Sequence, residues 1–120
     1  MTDETLLRGK RILLVEDEYV LANDLQRIFS EEGANVLGPI ASVDDALDLI
    51  EAGETIDGAV LDMNLQGEMA FPVADELLDH GTPFVFATGY DRSAVPDRYR
   101  NIVCCEKPVS IQTVANALFC

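Results

Sequence analysis

With 120 residues, 48% hydrophobic and 25% charged, the chain has the composition of one ordinary globular domain with a real core. A formal net charge of −14 argues against nucleic acid and anionic membrane surfaces as partners. No apolar run approaches a membrane span, Met1-Thr-Asp-Glu4 is unlike a secretory signal, and Cys104, Cys105 and Cys120 form neither a disulfide framework nor a zinc pattern, so a cytoplasmic setting is expected.

Residues 1–9 read as a leader, ending in a basic stretch from Arg8 to Arg11, and about 10–119 as the core of a single domain with no output domain after it. Ile12-Leu-Leu-Val15 is a compact buried strand that stops at Glu16-Asp17-Glu18. Leu21, Leu25, Ile28 and Phe29 then recur at helical spacing, and Gly33 is the natural stop. Residues 35–40 supply a second strand, limited by Gly38-Pro39. Ser42 is placed to cap a helix whose face is Val43, Ala46, Leu47 and Ile50, ending at Gly53.

The third strand, residues 58–62, rises through an unbroken apolar run and ends on Asp62. Such runs suit a parallel strand buried on both faces, and these strands present functional groups at the carboxyl edge. Taken alone, Asp62 fits a turn or helix-cap aspartate equally well. Gly67 predicts a flexible loop, followed by a short helix from about Phe71 to His80 that tolerates Pro72 only in its first turn. Phe84-Val-Phe-Ala-Thr88 is a fourth buried strand, followed by Gly89. Residues 91–101 are charged and interrupted by Pro96, so a fourth helix should be short or irregular. Apolar residues are sparse from 89 to 101, which predicts a mobile output element there, with Tyr90 and Tyr99 changing exposure. Residues 102–105 form a fifth strand before Glu106-Lys107-Pro108, and Ser110 caps a last helix with Ile111, Val114, Ala115 and Leu118 on its face.

Strands alternating with helices predict an α/β fold: a doubly wound five-stranded parallel sheet, flavodoxin-like in the order 2-1-3-4-5, with helices on both faces. That order gathers Glu16, Asp17, Asp62, Thr88 and Lys107 at one edge. Each has an ordinary explanation singly, as a helix cap, a strand end or a turn; together they make a site. Crowded carboxylates repel until protonation or a cation relieves them. Hard oxygen ligands suit Mg²⁺, and the single histidine, His80, lies elsewhere. The expected ligands are Asp17, Asp62 and the main-chain carbonyl of Asn64, with Glu16 acting through water. Such a cation favours a phosphoryl group on Asp62, its oxygens bound by Lys107 and Thr88, while Gly89 keeps the approach open.

This constellation resembles the receiver domain of two-component response regulators across essentially the whole chain. Pro83-Phe-Val-Phe-Ala-Thr-Gly-Tyr90 is similar to the signature of the FAT GUY receivers, a bacterial subgroup often found as single domains. The resemblance implies Mg²⁺-dependent phosphoryl transfer from a histidine kinase or phosphotransfer protein to Asp62. It further implies a shift between inactive and active states, and a cis bond between Lys107 and Pro108. Output would pass by protein–protein contact or phosphorelay to an unidentified downstream protein, without turnover of an external substrate. Typical receivers carry an aromatic switch residue two positions before the lysine, where this chain has Cys105. Tyr90 is either the missing ring, supplied from the neighbouring strand, or a packed surface aromatic. Asn64-Leu-Gln-Gly-Glu68 lacks the commoner Met-Pro turn.

An aspartate-nucleophile phosphohydrolase would use similar groups, but its nucleophile commonly ends the first strand with a second acid two residues on, where Asn64 stands here. A flavin module would need a phosphate-cradling loop where this chain has three acids. A degenerate, phosphorylation-independent receiver is disfavoured by the intact acid, threonine and lysine set.

Overall fold

A computed structural model describes residues 4–89 and 95–119. The elements run α1 (Glu4–Leu7), β1 (Arg11–Val15), α2 (Tyr19–Glu31), β2 (Asn35–Ile40), α3 (Val43–Glu51) and β3 (Gly58–Asp62). They continue with β4 (Asn64–Leu65), β5 (Glu68–Met69), α4 (Phe71–Asp79), β6 (Phe84–Thr88), a 3₁₀ turn at Asp97–Tyr99, β7 (Cys104–Glu106) and α5 (Ile111–Phe119). The main sheet is parallel in the order β2-β1-β3-β6-β7, the expected flavodoxin-like winding.

Alternation along the central strands divides the core into two layers. Leu13, Val15, Leu61, Phe84 and Phe86 point to the face covered by Val43, Ala46 and Ile50 of α3 and Val73, Ala74 and Leu77 of α4. Ile12, Leu14, Val60, Val85 and Ala87 point to the other, against Leu25 and Phe29 of α2 and Val114, Ala115 and Leu118 of α5. Because both faces are covered, these strands carry unbroken apolar runs. The helix signals hold as well: Asp45 donates its N–H to the Ser42 hydroxyl at 3.2 Å, and Gly33 and Gly53 follow α2 and α3 with φ of +93° and +83°.

Three expectations need correction. The leader is not merely a lead-in: Leu7 of α1 is 1% exposed and packs in the α2–α5 layer. An element of four residues is too short to show periodicity. The loop after Asp62 is ordered as an antiparallel hairpin, β4 against β5, turned by Gln66 and Gly67 at φ of +54° and +86°. Two successive positive φ values suit a tight hairpin turn, and glycine makes the second one cheap. The second strand keeps its expected bounds, Asn35–Ile40, with a cis bond at Gly38-Pro39 near its end. At Gly38 (φ +119°) an added Cβ would lie 2.6 Å from the Leu14 carbonyl oxygen. Finally, the fifth strand begins at Cys104, because the Ile102 N–H is taken by the Tyr99 carbonyl at 2.9 Å.

The segment expected to be weakly held is anchored at one end. Tyr99 is 0% exposed and among the largest fully buried side chains. Its ring stacks on Phe71 at 5.5 Å and meets Phe86 edge-on at 5.5 Å. Its hydroxyl donates to Asp75 Oδ1 at 2.5 Å and lies 3.2 Å from the Phe71 carbonyl oxygen. One aromatic residue thus supplies the burial that a sparse apolar count conceals. Residues 90–94 lie outside the described residues, as does Tyr90.

If Leu7 belongs to the core, Leu7→Ala should cost about 2–5 kcal/mol of stability, as buried leucine truncations do. Urea unfolding measures this; a loss under about 0.5 kcal/mol, the range of ordinary surface changes, would return residues 1–9 to the status of a leader.

Candidate functional site

The parallel winding brings the carboxyl ends of β1, β3, β6 and β7 side by side, and backbone hydrogen bonds fix the residues at and just past each strand end. The Glu16 N–H donates to the Ile40 carbonyl at 2.9 Å, so the first acid is still held by the sheet. Asp62 ends β3 in register with Ala87. Lys107 N–H donates to the Thr88 carbonyl at 2.9 Å, and the following peptide bond to Pro108 is cis, as expected.

Residues far apart in sequence therefore converge. Carboxylate oxygens of Glu16, Asp17 and Asp62 all lie within 4.8 Å of one another. The Lys107 ammonium lies against the same acids, 3.1 Å from Asp62 Oδ2 and 3.2 Å from Glu16 Oε1. It also lies 2.9 Å from Glu18 Oε1. Glu16, Asp62 and Thr88 are buried polar residues in a sheet otherwise lined with hydrocarbon.

Burial is the first cause that pushes the Asp62 carboxyl up, and a hydrogen bond with Glu16 and that neighbour's charge push it further, to about 7. Lys107 opposes both. For Lys107 itself, burial works against the ammonium. The Glu18 hydrogen bond and the Asp62 and Glu16 contacts outweigh it, so the group is held above its ordinary range. One lysine does not offset the burial and the neighbouring acid, so the Asp62 carboxyl stays above its ordinary range.

The same chemistry is a test for a metal. Several carboxylates, partly exposed at Asp17 and with no nitrogen or sulfur donor in the cluster, fit a hard divalent cation such as Mg²⁺. Asp17 is already engaged on its hairpin side, where Gln66 donates its N–H to Oδ2 at 2.7 Å. Asn64 lies at the site too: its N–H donates to Asp62 Oδ1 at 3.3 Å, and its side-chain oxygen accepts the Gly67 N–H at 2.9 Å. The hairpin that replaces the commoner turn is thus tied to two of the expected ligands.

Gly89 is exposed, and a Cβ added there meets none of the described residues within 4 Å. Cys105 packs in the α2–α5 layer, where burial is the first cause raising its thiol pKa and Cys104 adds to it. Cys104 packs on the layer that holds Phe86 and Tyr99. Strand alternation thus places the neighbouring Cys104 and Cys105 in opposite layers.

Two groups escaped the sequence. Glu18 was visible only as the last acid of a run, and its partner is 89 residues away. Asp75 looked like one more solvated helix acid. It accepts from Tyr99 and pairs with Arg98 at 3.2 Å, and the Tyr99 hydrogen bond chiefly holds its carboxyl below the ordinary range. Its position next to Phe71 and Ala74 on α4 was the available signal.

No family model matches the chain. The fold and site nevertheless have close counterparts. The solution structure of SdrG from Sphingomonas melonis Fr1 is 36% identical, covering 98% of this chain and 96% of that one, with a TM-score of 0.79. A BeF3-activated conformation of SdrG, from Pseudomonas melonis Fr1, is 38% identical over 92% and 94% of the two chains, with a TM-score of 0.74. A response regulator receiver protein from Sinorhizobium medicae WSM419 is 27% identical over 93% and 96%, with a TM-score of 0.75. The chain belongs to the response regulator receiver domains. Among curated proteins, the receiver is 25% identical to the transcriptional regulatory protein PdtaR of Mycobacterium tuberculosis, over 98% of its own length. It spans 35% to 58% of the length of the curated regulators that it matches. Its place in two-component signalling follows from this membership. No helix among the described residues of the receiver is long and apolar enough to cross a membrane.

The raised Asp62 group gives the metal-free receiver a pH dependence of definite sign. Its folded pKa, about 7, exceeds the ordinary 3.8, so its contribution to stability is complete below about pH 4 and is lost as pH rises through 7. Asp62→Asn has no carboxyl to ionise. Unfolding midpoints across pH 4–8 should show the parent losing stability relative to the variant as pH rises; parallel profiles would contradict the shift.

Proposed function

We propose that this receiver is a phosphorylation-activated switch that accepts a phosphoryl group on Asp62 from a histidine kinase or phosphotransfer protein. The observation that carries it is the Lys107 ammonium 3.1 Å from the Asp62 carboxylate, within an acid cluster whose oxygen donors fit Mg²⁺. In the transfer, an Asp62 oxygen attacks phosphorus, the phosphorus–nitrogen bond of the donor phosphohistidine breaks, and the imidazole leaves with the bonding electrons. Lys107 and Thr88 bind phosphoryl oxygens, Gly89 leaves room for the donor, and Asp17, Asp62 and the Asn64 carbonyl hold Mg²⁺, with Glu16 acting through water. When bound, the cation offsets the charge that gathers on the phosphoryl group. Apart from accepting and slowly hydrolysing this group, the protein turns over no substrate. The Pro83–Tyr90 segment and the likeness to SdrG support assignment to the FAT GUY subgroup.

Incubation with acetyl phosphate and Mg²⁺ should add one phosphoryl mass to the parent and none to Asp62→Asn. Equal labelling of both would move the acceptor elsewhere.

Output passes to a partner protein through the segment after β6. Its Tyr99 end is pinned to α4 through Asp75, so the change on activation should fall between Gly89 and that anchor. Amide exchange with beryllofluoride should slow more in residues 89–96 than in 97–101. Tyr99→Phe removes the hydroxyl from a charged acceptor and should cost about 1.5–3 kcal/mol. It should also let residues 97–101 respond like their neighbours. An unaltered exchange pattern in this variant would remove Tyr99 as the boundary.

A further inference from the structure

Within the site, one contact is unaccounted for by phosphoryl chemistry. Lys107 has three N–H donors, and four carboxylate oxygens surround them. Glu18 Oε1 lies at 2.9 Å, Asp62 Oδ2 at 3.1 Å, Glu16 Oε1 at 3.2 Å and Glu16 Oε2 at 3.5 Å. The ammonium is saturated before any phosphoryl oxygen arrives, and the shortest contact is to the acid that is neither the acceptor nor in the metal cluster.

Glu18 is also oddly used for its place in the chain. It sits at the N-cap of α2, where a side chain commonly accepts a hydrogen bond from the first turn. Its carboxylate makes no such bond. The side chain reaches Lys107 instead, while its backbone N–H donates to Glu16 Oε2 at 3.0 Å. Its side chain is 63% exposed, against 2% for Glu16 and 7% for Asp62. Of the three acids that hold the ammonium, Glu18 is the one that regains water on letting go.

We infer that Glu18 is a positioning residue for phosphoryl transfer, holding the Lys107 ammonium in the resting site and yielding it when a phosphoryl group forms on Asp62. This rests on Asp62 as the acceptor. A tetrahedral phosphoryl group brings three oxygens to the space beside Asp62 and needs at least one Lys107 donor. Glu16 is buried, its side chain only 2% exposed, and would regain little water on losing the lysine. Glu18 can release it at little cost, because an exposed ion pair is already well screened. Glu18 therefore opposes the phosphorylated state twice: it competes for the ammonium, and its charge repels the incoming dianion.

The test uses beryllofluoride with Mg²⁺ as the phosphoryl mimic, comparing parent, Glu18→Gln and Glu18→Asp by NMR titration. Unfolding midpoints serve as the folding control. Glu18→Gln should bind the mimic about two- to fivefold more tightly, the range set by one exposed ion pair. Glu18→Asp keeps the charge but is one methylene short of the contact, so it should move in the same direction. The Lys107 ¹⁵Nζ resonance is readily assigned, since Lys10 is the only other lysine, and should shift in both variants without the mimic. If the parent binds beryllofluoride at Asp62 but Glu18→Gln binds it equally or more weakly, the positioning role is overturned while the switch stands. If Glu18→Asp matches the parent in affinity and in the Lys107 signal, long-range charge rather than contact is responsible, and the role is likewise overturned. If the parent itself fails to bind the mimic at Asp62, both fall together.

Discussion

The receiver is organised around a shortage of positive charge. Its sheet carries the backbones of Glu16, Asp62 and Lys107 to one edge, and among the described residues one ammonium there serves several carboxylates in a largely buried space. A buried acid cluster of this kind is a poor way to stabilise a fold, since desolvation takes back much of what attraction provides. It is a good way to create appetite for a cation and for the group that a cation accompanies. The elevated Asp62 carboxyl is the resting expression of that appetite.

The surrounding fold keeps this tension local. Two apolar layers grip the central strands from both sides, so the strand ends are set by hydrocarbon packing rather than by the charges themselves. The β4–β5 hairpin is the exception. Its turn donates to Asp17 and its first residue donates to Asp62, coupling a two-stranded flap directly to the acids. Elsewhere, Tyr99 and Asp75 tie the 3₁₀ turn to α4.

Much of this was legible in the sequence. Unbroken apolar runs ending on Asp62 and Thr88 reported strands with both faces covered, and their alternation with helical stretches gave the winding and the edge set. Caps such as Ser42 announced themselves because they act through neighbours a few residues away. What stayed hidden was short or distant. Leu7 lies in an element too brief to show a period, and the Gln66–Gly67 turn gave only one of its two signals. Glu18 and Asp75 take their meaning from partners that only the tertiary fold supplies. Cys105 illustrates a subtler limit: a shift of one residue along a strand reverses the face, so distance from Lys107 does not by itself say which layer a residue joins.

The buried tyrosine has an optical consequence. The chain contains no tryptophan and three tyrosines, so no indole masks phenol emission or collects its excitation. A phenol hydrogen-bonded to a carboxylate is dimmed by that contact, and Tyr99 donates to Asp75 from a site closed to water. The protein therefore carries its own unlabelled lamp at the junction of α4 and the segment after β6. Any event that parts the hydroxyl from Asp75 would brighten it, so a loosening at that junction becomes visible in a simple cuvette without a dye.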